Sequence, residues 1–565
     1  MLKNIFITIL LICSVSGVWG QKSVKVKVSG NVITTDGVPA EFINIQLKNT
    51  FYGGTSDGKG YFEFMAPAGQ YTMIVQSIAA HRREFPVTIE EGKENHFADI
   101  EIRENINQLE QVVVTGQFSP QSMRNSLYRV RTVNSEQIRQ KAPTSVQSLL
   151  NTEIGIRLSN DMALGETDFE LMGMSGNNVK ILLDGIPLID RGATKQSLSQ
   201  LDVNSIERVE IVEGPMSVVY GTDALAGVIN IITKKGDGYS EENTWRVGAR
   251  VQEESMGKEY DFFKDKGLHN ESIDLGFNHK SGLFVNGGYT RNNHGGWQGD
   301  LTGREKRWHP KDQALMNGMF GFQNRNMNVW YRLDFLDEKI FGPNNGSELQ
   351  PEKVSDKDFL TKRYTHQLQS DWKLDNRLDV HAALSYQDYK RRTRTTESDL
   401  STGEKWLSSA EASQDITQYK AWIARATVAW NIAPEFSVQP GVEYQWTQGE
   451  GGRIDGTPKV SDLAFFLSAE YKPWEWLSLR PGVRTFIVAD YDAPIAIPSV
   501  LTKFKLTKHM DLRLSYAYGF RSPTLQELYF SFHNDNHDID GNPDLKAEYS
   551  HNITGSVAYR VLQIG

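Results

Sequence analysis

Two histidines, His533 and His537, stand four residues apart in a polar stretch running from Tyr529 to Gly541. A neutral imidazole is a good axial ligand for haem iron, and in a loop either ring could serve. A pair of solvated loop histidines is the other reading. His81 and His96 stand alone and read as solvated. No Gly-x-Ser-x-Gly elbow, His-Glu-x-x-His helix or phosphate-binding loop occurs. The chain is therefore not expected to be an enzyme or to hold a resident metal or cofactor.

A second chemistry is carried by main chain. Gln111-Val112-Val113-Val114-Thr115-Gly116 is an apolar strand-former run after a charged linker. Such a run can add itself to the sheet edge of a partner, with backbone hydrogen bonds supplying the affinity. It can equally be an ordinary strand of its own domain.

The elements that position these residues must fit 565 residues, enough for several domains. The net charge of -9 and pI near 5.8 argue against a nucleic-acid partner. Mean hydropathy is -0.46, and no apolar run beyond the first twenty residues approaches the ~20 residues of a spanning helix. A transmembrane barrel fits these values as well as a soluble protein does, because its strands alternate lipid-facing and lumen-facing residues. Residues 1–20 read as a secretory signal: Lys3, the apolar run Ile5 to Val15, then Val18-Trp19-Gly20 before Gln21. Cys13, the only cysteine, lies inside that signal, so disulfides play no part. The bulky Ile12 before it argues against a lipid anchor.

Three segments follow. Residues 21–105 show short strands separated by turns such as Asp57-Gly58-Lys59-Gly60 and Pro67-Ala68-Gly69, which predicts a small β-sandwich. The run from Gly30 through Gly58-Lys59-Gly60-Tyr61-Phe62 to Gly69-Gln70-Tyr71 resembles the carboxypeptidase-regulatory-like domain. Residues 106–236 are mixed α/β, with helical character at Val146 to Leu150 and a buried strand at Val179 to Leu183. In Ile206 to Pro215, the charges Glu207, Arg208, Glu210 and Glu213 alternate with apolar residues. They are expected either to pair with a surrounding wall or to form a solvated face.

Residues 237–565 repeat one theme of alternation. Leu283, Val285 and Tyr289 alternate with Phe284, Asn286 and Thr290; Leu512, Leu514 and Tyr516 alternate with Asp511, Arg513 and Ser515. Trp422, Trp430, Trp446, Trp474 and Trp476 sit near strand ends, as an aromatic girdle requires. Short turns such as Lys280-Ser281-Gly282 and Asp375-Asn376-Arg377 alternate with long polar loops such as Arg392 to Asp415. The expected fold is mainly β: an N-terminal sandwich, an α/β plug and an antiparallel transmembrane barrel.

Val179 to Pro187, Ile206 to Pro215, Tyr220-Gly221 and Ala226 to Thr233 together resemble the plug signatures of TonB-dependent outer-membrane receptors. The preceding sandwich is similar to that of Bacteroidetes-type members. The resemblance implies that Gln111, Val112, Val113, Val114, Thr115 and Gly116 form the TonB box, the segment pulled by TonB and its inner-membrane energising complex. It implies active import across the outer membrane rather than a passive porin or adhesin. Phe520-Arg521-Ser522-Pro523 and Asn542-Pro543-Asp544-Leu545 resemble motifs frequent in haem receptors, which would make His533 and His537 candidate iron ligands. Such receptors usually take a second ligand from the plug, yet residues 107–236 contain no histidine. Met172 and Met174 are weak substitutes. Haem or a ferric siderophore is the expected cargo, with cobalamin or another bulky nutrient as the alternative. A surface lipoprotein partner is compatible with the sandwich domain but is not encoded here.

The resemblance also sets a strand count. About fourteen strands of ~9–11 residues fit between Trp245 and Arg560, whereas the family closes its barrel with about 22. The final aromatic residue usual in such barrels is missing from Leu562-Gln563-Ile564-Gly565. A C-terminally truncated, open barrel lacking about eight strands is therefore expected.

Overall fold

The computed structural model describes residues 25–559 apart from 35–38, 41–42, 78–79, 94, 103–111, 124, 162–165, 190–195, 237–241, 376, 411, 452, 508 and 535–536. The signal segment lies outside the described residues. The chain divides into two compact units, Met1–Val112 and Val113–Gly565.

In the first unit, Lys25–Thr34 runs antiparallel to Tyr61–Pro67 and parallel to Asn95–Ile102. A second sheet orders Gly53–Thr55, Asn44–Leu47, Gly69–Ser77 and Ala80–Ile89. Because strand side chains alternate faces, Val28, Ile45, Phe62 and Val75 all turn into one core. Gly30 permits the tightest approach: a Cβ there would collide with the Phe97 carbonyl oxygen. The result is the expected sandwich.

The second unit begins with the plug. Its sheet orders Arg129–Asn134, Ile206–Glu213, Gly227–Thr233, Val179–Leu183 and Ile186–Pro187. The Val179–Leu183 and Gly227–Thr233 strands are buried on both faces and pair in parallel. That explains their largely apolar sequences, interrupted by Lys180 in one and by Asn230 and Thr233 in the other. The helix Val146–Leu150 forms as expected, with Ser145 and Ser148 in a reciprocal capping box.

Around it runs an antiparallel meander from Thr244–Glu254 to Glu548–Tyr559, a 15-stranded sheet including the short off-path strand Lys405–Leu407. Fourteen strands follow one another along the path. Alternation sorts their faces as the sequence predicts. Leu283, Val285, Phe465 and Leu514 point outward and are exposed, while Asn286, Arg332, Gln387 and Asp511 are buried inward. Trp422, Trp430, Trp474 and Trp476 are outward, and the last two stack with ring centroids 5.2 Å apart.

Among the described residues the sheet does not close. Its first and last strands each have one ladder neighbour among the described residues, the open barrel that the strand count predicts. One sequence expectation needs correction. Arg392 to Asp399 is not loop but the continuation of the strand Leu378–Asp399, paired in full register with Lys353–Lys373.

Candidate ligand cavity and coupling segment

The strand turns Ala433–Phe436, Trp474–Leu477 and Thr507–Met510 are short, and such turns face the periplasm in outer-membrane barrels. The opposite end holds a cavity of about 150 Å³ between the plug apex and the wall. The plug contributes Lys180, Ile189, Thr222 and Asp223; the wall contributes Asp462 and Tyr491. Lys180 is buried, with its ammonium 3.6 Å from Asp223 Oδ2. The Tyr491 hydroxyl is buried without a hydrogen-bond partner among the described residues, and burial raises its pKa. The cavity thus offers charges of both signs and an unused hydroxyl to a polar group. Met172 and Met174 do not line it.

The two motifs flanking the histidines build its roof. Phe520 is fully buried and meets Phe486 edge-on at 5.4 Å. The amide of Ser522 donates to Thr222 Oγ1 at 2.8 Å, and the amide of Asp223 donates to the Phe520 carbonyl at 3.2 Å. Arg521 reaches Glu527 at 3.0 Å and Glu548 at 2.7 Å. Glu527 also closes a capping box with Thr524 on the helix Leu525–Tyr529. The amide of Asn542 donates to the Glu527 carbonyl at 3.1 Å, so both motifs converge on that helix.

His533 projects beyond it on the hairpin Ser531–Asn534/His537–Asp540. Its Nδ1 lies 2.5 Å from Asp538 Oδ1, and its Nε2 lies 3.1 Å from both Asp540 Oδ1 and Ser531 Oγ. The hydrogen bond to Asp538, with support from Asp540, raises the imidazole pKa above its usual value despite slight desolvation. The side chain of His537 lies outside the described residues.

Beneath the cavity, Glu443 binds Arg484 at 2.8 Å and Arg425 at 2.5 Å, all buried in the wall. Arg425 donates to the Val219 carbonyl at 2.8 Å and lies over the Tyr220 ring at 5.1 Å. Tyr220 ends the one-turn helix Ser217–Tyr220, and its hydroxyl accepts from the Gly116 amide at 3.2 Å. This leads directly to the candidate coupling segment.

Of that segment, Gln111 and the side chain of Val112 lie outside the described residues. Val113 is fully buried against Leu127, Tyr128, Val212 and Met216. The amides of Val114 and Thr115 donate to the Glu210 carboxylate. Gly116 turns with φ +69°, and a Cβ there would collide with the Met216 methyl. The cavity and the segment therefore sit at opposite ends of the wall strand Leu477–Ala489: Tyr491 follows one end, and Arg480 near the other donates to the Gly116 carbonyl.

The strand charges behave differently from the wall-pairing expectation. Glu213 binds Arg131 at 2.8 Å and Arg129 at 3.0 Å, within the plug. Glu210 turns to the candidate coupling segment. Near the cavity the wall grips plug main chain: Gln369 donates to the Asp184 carbonyl at 2.9 Å, Gln387 to Pro187 at 2.7 Å and Arg363 to Ile189 at 3.0 Å. Elsewhere it meets uncharged or loop side chains of the plug, as where Gln200 donates to Glu338 at 3.0 Å and Thr290 to Asp202 at 2.9 Å. Lys180, Asp223, Asp462 and Tyr491 were not singled out from sequence. The one available signal was Lys180, a lone charge inside the apolar run Val179 to Leu183.

A plug-domain model of TonB-dependent receptors matches residues 122–228. A CarboxypepD_reg-like domain matches 28–114, and a TonB-dependent receptor-like β-barrel matches 439–563. The chain carries the plug and barrel domains of the TonB-dependent receptors. It is thus an outer-membrane β-barrel protein. The iron-regulated outer membrane virulence protein of Vibrio cholerae is 25% identical over 80% of this chain and 66% of its own length. The vitamin B12 transporter BtuB of Vibrio vulnificus is 32% identical over 24% of this receptor and 23% of its own length. The ferrienterobactin receptor of Escherichia coli is 33% identical over 19% and 17%. The chain therefore spans less than two thirds of the length of each of these relatives. Among solved structures, a mutant of the ferric enterobactin receptor of Pseudomonas aeruginosa superposes with a TM-score of 0.59. It is 16% identical, and the match covers 80% of this chain and 71% of that one. The copper transporter OprC superposes at 0.58 with 13% identity, covering 76% and 70%. At such identities the likeness is one of fold.

Proposed function

We propose that this receptor imports an iron complex across the outer membrane, with TonB pulling on Gln111–Gly116. The carrying observation is the layout just described. An outward polar cavity and an inward coupling segment lie at opposite ends of one wall strand, with the plug helix Ser217–Tyr220 between them. Cargo held at Asp223 adjoins the helix whose Tyr220 hydroxyl holds Gly116. An order–disorder change in the segment would then couple the two ends.

Among iron complexes a ferric siderophore fits better than haem. Both ring nitrogens of His533 are engaged by carboxylates, so neither is directed at a ligand. Two relatives, an iron-regulated outer membrane virulence protein and a ferrienterobactin receptor, support an iron-complex cargo, and the second is named for a siderophore. Cobalamin is the second reading, favoured by the identity to BtuB.

The test is growth and radio-iron uptake in a receptor-deficient strain carrying this chain, supplied in turn with ferric enterobactin, haem or cobalamin. Uptake of ferric enterobactin or another siderophore complex alone is expected; growth on haem that is lost in a His533→Ala, His537→Ala variant overturns the siderophore assignment. Val113→Pro removes a backbone donor and fixes φ. It should abolish uptake while surface binding persists, and retained uptake would remove the coupling role.

A further inference from the structure

We infer that Glu210 is a positioning residue that clasps the coupling segment shut, by occupying the backbone donors a partner strand would need. The inference rests on the coupling role proposed for Gln111–Gly116. Glu210 is fully buried, and its carboxylate accepts from the Thr115 amide at 2.8 Å, the Thr115 hydroxyl at 2.6 Å and the Val114 amide at 3.1 Å. Asn230 Nδ2 donates to Thr115 Oγ1 at 2.9 Å, so the threonine hydrogen is directed to Glu210.

Consecutive amides of an extended chain point to opposite sides, and a strand joining a sheet edge offers those on one side. Here the amides of both Val114 and Thr115 converge on one carboxylate, so neither can serve a partner. Strand addition over these residues must displace Glu210 first. The clasp is built on a rigid element: Glu210 pairs through its own backbone region with Thr132 and Asn230 in the middle of the plug sheet.

Opening does not strand a bare charge. Arg208 Nε already lies 2.8 Å from Glu210 Oε1, so an ion pair remains when the segment leaves. A buried carboxylate with no partner would resist release; one with a retained cation permits it. The arrangement is therefore reversible, holding the segment in until it is drawn out.

The experiment uses the whole chain in outer-membrane vesicles, with Cys13, the only native cysteine, replaced by alanine. A cysteine is introduced as Val113→Cys, and its rate of labelling by a maleimide is measured. A second reporter, Ile229→Cys, lies fully buried in the plug core. Glu210→Ala should raise labelling at position 113 about ten-fold or more and leave position 229 protected, with Glu210→Gln intermediate. Hydrogen exchange of the peptide spanning 112–117, in a chain without introduced cysteines, should quicken in parallel. Unchanged labelling and exchange at the segment overturn the clasp. An equal rise at position 229 overturns it too, because Glu210 would then only support the plug fold. None of these readouts requires cargo or uptake, so the clasp can fail while the transport reading stands, and the reverse.

Discussion

Arg480 of the barrel wall donates from Nη1 to the carbonyl of Gly116 at 2.5 Å, while its other nitrogens engage Glu470. One buried guanidinium thus joins the end of the proposed coupling segment to the wall, and it also lies over the Phe118 ring at 4.5 Å. Arg480→Ala would leave Glu470 with Lys472 as its cation, at 2.7 Å, and strip the Gly116 carbonyl of its wall donor. A loss of about 1–3 kcal/mol is expected, because the Gly116 carbonyl loses its donor while Glu470 keeps a cation. Thermal unfolding of the plug measures it, and Arg480→Lys should restore only part.

Gly116→Ala places a side chain at φ +69° and against the Met216 methyl. The expected cost is about 1–3 kcal/mol, seen as faster hydrogen exchange across Val114 to Gln117. A second change, Met216→Ala, should relieve the steric part and leave the backbone part.

Thr222→Val removes the acceptor of the Ser522 amide and the hydroxyl contact with Ser522 Oγ. The roof over the cavity should loosen while the wall stays intact. Proteolysis within residues 522–547 should become faster, and cargo affinity should fall by about ten-fold.

His533 should titrate above 6.5, because Asp538 and Asp540 favour its protonated form. The sign follows. Its contribution to hairpin order is complete below 6.5 and is lost as pH rises through the higher folded-state midpoint. Asp538→Asn should lower that midpoint. An NMR titration of the imidazole checks both, and a native midpoint at or below 6.5 would show the carboxylate contacts to be absent.

Phe465 is exposed near the middle of the wall strand Lys459–Trp474 and points away from the lumen. Phe465→Arg should cost about 2–4 kcal/mol of membrane stability, the usual penalty near the bilayer midplane. Urea unfolding from bilayers is the measurement, and a neutral result would mean that this face does not meet lipid.

The sequence made the plug legible because fully buried strands such as Val179–Leu183 cannot hide their apolar runs. Period-two alternation likewise assigned Leu283, Val285 and Leu514 to the outer face. The strand Leu378–Asp399 was legible only as far as hydrocarbon demands it: beyond Lys390 both faces are largely polar, so the continuation through Arg392–Asp399 looked like loop. Glu210 was ambiguous for another reason. Alternation says which side of a strand a charge takes but not what arrives there, and its partner lies 95 residues away in sequence. The cavity was illegible in the same sense, since Lys180, Asp223, Asp462 and Tyr491 come from four separate segments.

The wall's grip on Asp184, Pro187 and Ile189 is directed at carbonyl oxygens, which every amino acid carries. Seating by Gln369, Gln387 and Arg363 therefore places little demand on which side chains the plug displays there. Substitutions at Pro187 and Ile189, which line the cavity, can alter what meets a ligand there while these carbonyl contacts persist. A stopper fastened this way at its apex can vary the face it shows there without re-evolving that part of its fit to the bore.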